Sequence, residues 1–279
     1  MSIEQKVADH YGRRDIASDL AAEILGALER AGKDIDRLRP EDLAPIDEFH
    51  IRGREATDEL GRALGLEAGT AVLDVGSGLG GPSRRLAELY GCRIVGLDLT
   101  DDYCRTASVL AGRVGLADRV EYRQGSALDM PFAEASFDRV YTQHVAMNIA
   151  DKRRLYAEIA RVLRPGGLFG LYDLLQGPGG TVHFPVPWAR DPDTSFLATP
   201  DELRGLLAGS GLEVVGWRDT SAESQVWFQS LRDRLAGEGP PPVGFDLLLG
   251  SDFRAMARNQ VRNLEERRIL PTEVVCRRL

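Results

Sequence analysis

The chain has little cysteine. Cys92, Cys104 and Cys276 are odd in number and widely spaced, which excludes a disulfide framework and any paired-cysteine zinc spacing. Small buried hydrophobes are the expectation for all three. Long apolar runs are missing too: no stretch approaches the roughly 20 residues that a membrane span needs. Near the N-terminus, Glu4, Lys6, Asp9, Arg13 and Arg14 interrupt any apolar segment, so no signal peptide is expected and the cytoplasm is the default location. Basic charge is in deficit, with 35 Lys and Arg against 43 Asp and Glu, a net −8. No basic stripe offsets that balance, so no nucleic-acid partner is expected, and there is room for a cationic cofactor or substrate. No repeat, low-complexity tract or metal-ligand cluster is visible. What remains, 279 residues with 43% hydrophobic and 28% charged, suits a soluble globular protein of one large domain or a core with additions.

The most informative stretch is Ala71-Val72-Leu73-Asp74-Val75-Gly76-Ser77-Gly78-Leu79-Gly80-Gly81-Pro82. Val72 to Val75 reads as a short buried strand, the glycines as a tight turn, and Ser83-Arg84-Arg85-Leu86-Ala87 as the start of a helix. Pro82 suits the first helical turn, where its missing N–H costs nothing. Without Cβ atoms the loop lets a ligand sit against the backbone, and free N–H groups at the turn and helix start would favour a carboxylate or phosphate. Gly76, Gly78 and Gly81 satisfy the G-x-G-x-x-G dinucleotide spacing. Asp98 ends the next strand, 18 positions after Gly80, where a ribose would want a carboxylate.

Asp74 followed by Gly76, Gly78 and Gly80 also resembles motif I of the class I S-adenosylmethionine (SAM)-dependent methyltransferases. Three later features carry the same resemblance. Asp129-Met130-Pro131-Phe132 with Ser136-Phe137-Asp138-Arg139-Val140 resembles the stretch leading into the fourth strand. Val162-Leu163-Arg164-Pro165-Gly166-Gly167-Leu168 resembles the turn before the fifth, and two strand-like runs close the chain. The resemblance covers roughly residues 67–215. Softer similarity to the sarcosine/dimethylglycine N-methyltransferase-like branch, which includes enzymes of bacterial natural-product tailoring, lies in residues 47–53, 142–148 and 184–189.

Alternating strands and helices argue for an α/β fold. The resemblance implies a Rossmann-like methyltransferase sheet, mostly parallel, with the last strand antiparallel. The expected organisation is an N-terminal helical lid over 1–66 and a SAM-binding core over 67–279, with substrate-side insertions at about 174–199 and 221–268. Before the core, a helix is expected from Ser18 to Arg30. A break follows at Arg39-Pro40-Glu41-Asp42, then a helix with Ala56, Leu60, Ala63 and Leu64 inward, ended by Gly65. Thr100 is expected to cap a helix. Lys152–Leu163 is expected as a helix before a fifth strand at Leu168–Asp173. Thr199-Pro200-Asp201-Glu202 is a capping box. Helices are expected over Ser221–Leu235 and Asp252–Arg267, with strands at Leu212–Arg218 and Pro271–Arg277.

The resemblance implies SAM as cofactor and a small-molecule methyl acceptor, nitrogen being the first choice of atom. Asp74 with Gly76, Ser77 and Gly78 would hold the methionine part, Asp98 the ribose and Leu99 the adenine face. The family usually carries an acid on the adenine amino group where this chain has Ser126; Ser126 and Ala127 would read that edge instead. Gln143, at a strand's C-terminal end, would face SAM, and His144 the acceptor, as base or orienting group, its reference pKa being near 6.5. Tyr11, followed by Gly12, resembles a lid tyrosine over the cofactor. Phe49 and His50 are placed over the ligand, and Tyr172 and Trp188 as aromatic walls of the acceptor pocket. Alternatives are O- or C-methylation of a natural product, SAM binding without transfer (binding or cyclisation), and a nicotinamide-dependent oxidoreductase. A homodimer is also compatible with the late helical addition.

Overall fold

A computed structural model describes residues 2–11 and 19–279. Seven strands form one sheet: β1 Ala71–Val75, β2 Arg93–Asp98, β3 Val120–Gln124, β4 Phe137–Gln143, β5 Leu163–Gln176, β6 Leu212–Asp219 and β7 Ile269–Arg278, in the order β3-β2-β1-β4-β5-β7-β6. The pairings from β3 across to β5 are parallel. β7 runs antiparallel to both neighbours, with Leu171 and Trp217 each opposite Val274. The chain order reverses between β1 and β4, the crevice where open α/β sheets bind ligands.

Helices α1 Ile3–Tyr11, α2 Leu20–Arg30, α3 Pro40–Asp47 and α4 Gly53–Ala63 precede the sheet. α5 Gly81–Tyr90, α6 Asp101–Arg113, α7 Lys152–Val162 and α8 Pro200–Gly209 follow or bridge its strands, and α9 Ser221–Glu238, α10 Asp246–Leu249 and α11 Phe253–Glu265 lie between β6 and β7. Strand alternation sends side chains to both faces. Leu73 and Val75 join Leu155 and Ile159 of α7 and Leu203 of α8. Val72 and Tyr141 pack with Leu60 of α4 and Leu86 of α5 on the other face. A further cluster joins Leu20, Ile24 and Leu28 of α2 to Leu43 and Ile46 of α3, Tyr103 of α6 and Leu248 and Met256 of the late helices. Elements from both ends of the chain therefore meet above the C-terminal edge of the sheet.

Several boundaries differ from expectation. Ser18, expected to open a helix, lies outside the described residues, as do Gly12, Arg13 and Arg14; α2 is capped by Asp19, which accepts from Ala21 N at 3.0 Å. Arg39–Asp42 starts a helix instead of breaking one, because Pro40 occupies the first turn and Asp42 accepts from Arg39 N. Ala63 is exposed, and Gly61 takes the buried position on α4, where a Cβ would overlap Tyr90. Thr100 stands at the cap of α6 without a side-chain cap bond; Asp98 accepts its N–H instead. The Arg164–Gly167 turn is absorbed into β5. Leu163 pairs with Phe137 and Leu168 with Arg139, so the extra residues bulge at Gly166, whose φ is 74°.

Candidate cofactor and acceptor site

A cavity of about 280 Å³ opens at the C-terminal ends of β1, β2, β3 and β4. Asp74, Gly76, Ser77 and Gly78 form its floor; Asp98, Leu99, Ser126 and Ala127 line one end; Gln143 and His144 line the other; Tyr11, Phe49 and His50 lie on the lid side.

The glycine loop is held by the sheet itself. Leu97 O accepts from Gly76 N at 2.7 Å and Ser77 N at 3.1 Å, and Ser77 O accepts from Gly80 N at 2.8 Å. Asp98 accepts from Gly78 N at 2.8 Å and Thr100 N at 2.9 Å. The N–H groups expected to be free for an anion at Gly76, Ser77 and Gly78 are thus occupied. The start of α5 is covered as well: a Cβ on Gly81 would run into Asp47, and Asp47 is paired with the buried Arg84 at 2.6 Å. Both features disfavour a pyrophosphate on the helix N-terminus, the seat that a dinucleotide needs.

Asp74 is buried and accepts from Ser83 Oγ at 2.6 Å. Burial pushes its carboxyl up to about 7, against the partly offsetting Ser83 bond. Burial likewise raises Asp98. The floor thus pairs a carboxylate poised near neutrality with an open cradle: around a Cβ placed on Gly78 there is nothing within 4 Å among the described residues.

At the other end, His144 has a left-handed φ of 55°, a conformation that costs energy for a residue with a Cβ. Tyr172 O accepts its N–H at 2.8 Å. Its Nε2 is buried and has no hydrogen-bond partner among the described residues. Burial, with the His50 ring 5.9 Å away, holds its pKa well below the usual imidazole value, so the ring is neutral at physiological pH. Gln143, expected to face the cofactor, lines the cavity and is also tied to His50 and Thr57, each 3.3 Å from its Nε2. His50 contacts Glu48 at 3.1 Å, and Thr57 donates to the same carboxylate at 2.7 Å. Glu48 was not singled out from sequence, since a lone acid in a mixed segment carries no pattern.

Tyr11 Oη donates to Asn148 Oδ1 at 2.9 Å, and Tyr103 Oη donates to Tyr11 O at 3.1 Å. Asn148 in turn donates to Trp188 O and Thr194 O, both at 2.8 Å. This is a correction for two residues. Trp188 does not line the cavity; its ring is fully buried among Ile51, Met147 and Leu264, and Nε1 donates to Ser195. Tyr172 is also buried and off the cavity wall, backing His144 at 5.4 Å between ring centroids. Tyr172 stands beside Gln143 in the sheet, under α4 and α5, and the rings of His50 and His144 lie against it.

Residues 73–171 match the methyltransferase domain family. This segment is therefore a class I SAM-dependent methyltransferase domain, and SAM is its cofactor. Sterol 24-C-methyltransferase ERG6B of Gibberella zeae is 38% identical over 116 residues, 42% of this chain and 30% of that protein. The chain thus spans about a third of the length of the sterol methyltransferases it matches. O-methyltransferase resE of Aspergillus sclerotiorum is 29% identical over 224 residues, 78% of this chain and 81% of that one. Among solved structures, the [4+2]-cyclase SpnF superposes with a TM-score of 0.70 at 22% identity, over 99% of this chain and 96% of that one; that likeness speaks for the fold.

The cavity fits the cofactor. The open cradle at Gly78 and the carboxylates of Asp74 and Asp98 supply what a methionine tail and a ribose require.

Proposed function

We propose that the chain transfers the methyl of SAM to a small molecule, with acceptor chemistry at His144. The observation that carries this reading is the neutral, buried His144 whose Nε2 has no partner among the described residues, set in the same cavity as the glycine loop. SAM supplies, when bound, a methyl already activated on a sulfonium. Asp74 and the loop would hold the amino-acid tail, and Asp98 the ribose. Leu99 and Ala127 would flank the base. The lid helices α1 and α3 would exclude water, which strengthens the electrostatic interactions inside the site, and would help hold acceptor and methyl at near-attack distance. His144 would take or orient the proton of the acceptor through Nε2, a role a neutral imidazole can perform.

That role suits a hydroxyl, which must lose its proton as the new bond forms, and a relative that aligns over 78% of this chain and 81% of its own is named an O-methyltransferase. Oxygen therefore leads, and nitrogen, the first choice on sequence, is the second reading. An amine needs only a free lone pair, and the sequence runs shared with the sarcosine/dimethylglycine branch favour it. SAM binding without methyl transfer, for binding or cyclisation, is tested by the same assay. Thermal shift with S-adenosylhomocysteine, SAM and NADH comes first. S-adenosylhomocysteine is expected to stabilise the protein; stabilisation by NADH alone sinks the reading. Labelled methyl from SAM is then offered to panels of phenols, alcohols and amines, and label in the phenol or alcohol products is expected.

A further inference from the structure

The adenine end of the cavity has a polar group from an unexpected element. Leu99 follows β2, and Ala127 and Leu128 follow β3; Ile3 and Val7 of α1 close the slot from above. These five side chains are apolar and suit the flat faces of a base. The exocyclic amino group of adenine has two N–H donors, and each needs an acceptor once water is excluded. Ser126 is already committed: its Oγ accepts from Leu128 N at 3.0 Å and donates to Glu4 Oε1 at 2.5 Å. Glu4 itself lines the cavity, and a carboxylate that has accepted one bond retains further lone pairs.

We propose that Glu4 accepts the adenine amino hydrogen, so that helix α1 is part of the cofactor site and Ser126 serves to aim the carboxylate. This rests on the SAM reading above. The helix is anchored independently of Glu4. His10 Nε2 is 2.9 Å from Pro187 O, Tyr11 donates to Asn148, and Lys6 pairs with Asp193 at 2.9 Å. Removing the Glu4 carboxylate therefore leaves the helix seated and takes away one recognition group. It also gives cofactor binding a direct hold on the lid: once the amino group is engaged, α1 has one more bond holding it closed.

The test is isothermal titration of the full-length chain with S-adenosylhomocysteine and with S-inosylhomocysteine, in which a carbonyl replaces the amino group. Wild type is expected to prefer the adenine compound by about tenfold or more, since the carbonyl would face a carboxylate. Glu4→Ala is expected to weaken S-adenosylhomocysteine by about fivefold, the size of one hydrogen bond near solvent, and to leave S-inosylhomocysteine unchanged or slightly improved. Glu4→Gln, whose amide oxygen still accepts, should fall between. If Glu4→Ala weakens both compounds equally, the residue only seats the helix and the proposal fails; it fails also if neither changes. A wild-type protein that binds neither compound overturns the SAM reading itself, a distinct pattern.

Discussion

Asp173 Oδ2 accepts the backbone N–H of Ala146 at 2.6 Å, two residues beyond His144, and that of Val145 at 3.2 Å. Its other oxygen accepts from Leu174 N at 2.8 Å. This buried carboxylate on β5 therefore grips the turn that forces His144 into its left-handed conformation. Lys152 closes the turn from the far side, donating to Ala146 O and Ile149 O. Burial lifts Asp173 to about 6, so it is ionised at neutral pH. Asp173→Asn keeps the shape but offers one acceptor oxygen in place of two. It is expected to cost about 1–3 kcal/mol of stability and to lower methyl transfer more than cofactor affinity. Equal melting temperature and equal turnover in the variant would refute the grip.

His144→Ala removes the unpartnered nitrogen and leaves the glycine loop alone. Transfer is expected to drop by about a hundredfold, the usual lower range for a lost acid–base group, with S-adenosylhomocysteine affinity nearly unchanged. His144→Gly relieves the positive φ, and a thermal melt should show it at least as stable as the alanine variant. Because burial keeps the ring neutral, turnover at saturating SAM should show no titration limb near the free imidazole pKa of about 6.5. A limb there in wild type that vanishes in both variants would mean that the ring titrates like an exposed one.

Asp74 gives a pH signature. Its folded carboxyl is raised to about 7 from a reference of 3.8. A raised acid contributes stability below the unfolded pKa, and that contribution is lost as pH climbs through the folded one. The unliganded protein should therefore lose stability between about pH 4 and pH 7 relative to Asp74→Asn. Cofactor binding runs the opposite way, since the ammonium of the methionine tail favours the ionised form. Affinity for S-adenosylhomocysteine is expected to fall about tenfold from pH 8 to pH 6, which is one protonation with a pKa near 7. Burial raises Asp47 and Asp173 as well, and both persist in Asp74→Asn, so the difference between the proteins isolates Asp74. A flat affinity in wild type over that range would remove Asp74 from the tail site.

The parts of the site that follow from local rules were legible in the sequence. Asp74, Gly76 and Asp98 sit at fixed offsets from strand ends, and strand ends can be read from short apolar runs. Gln143 and His144 follow from the same logic on β4. Tyr172 and Trp188 were not legible, because whether an aromatic faces a cavity or a core depends on register and on segments far away in sequence. Tyr172 is covered by His50 and His144, and Trp188 is drawn under Asn148 by the chain's return from β5. Glu4 and Glu48 were missed for a related reason. Each acts only because another element, the end of β3 or the start of α4, is brought against it. Residues 39–42 were misread because proline inside a polar run signals a break as readily as a helix start.

The glycine loop offers a last test that separates backbone from ligand effects. Gly76 has a φ of 79°, and a Cβ placed there would overlap the Val145 side chain. Gly76→Ala therefore incurs two costs, a left-handed alanine at about 1–2 kcal/mol and an overlap at about 1–3 kcal/mol. Val145→Ala removes most of the overlap and none of the backbone strain. The double variant Gly76→Ala/Val145→Ala is therefore expected to recover part of the stability lost by the single one, measured by chemical denaturation. Val145 also lines the cavity beside His144, so the recovered protein should still bind S-adenosylhomocysteine more weakly than wild type. Full recovery would show that the clash with Val145 alone explains the glycine. No recovery would show that Val145 is not the neighbour that matters, and that the turn is set by Leu97 and the strand register.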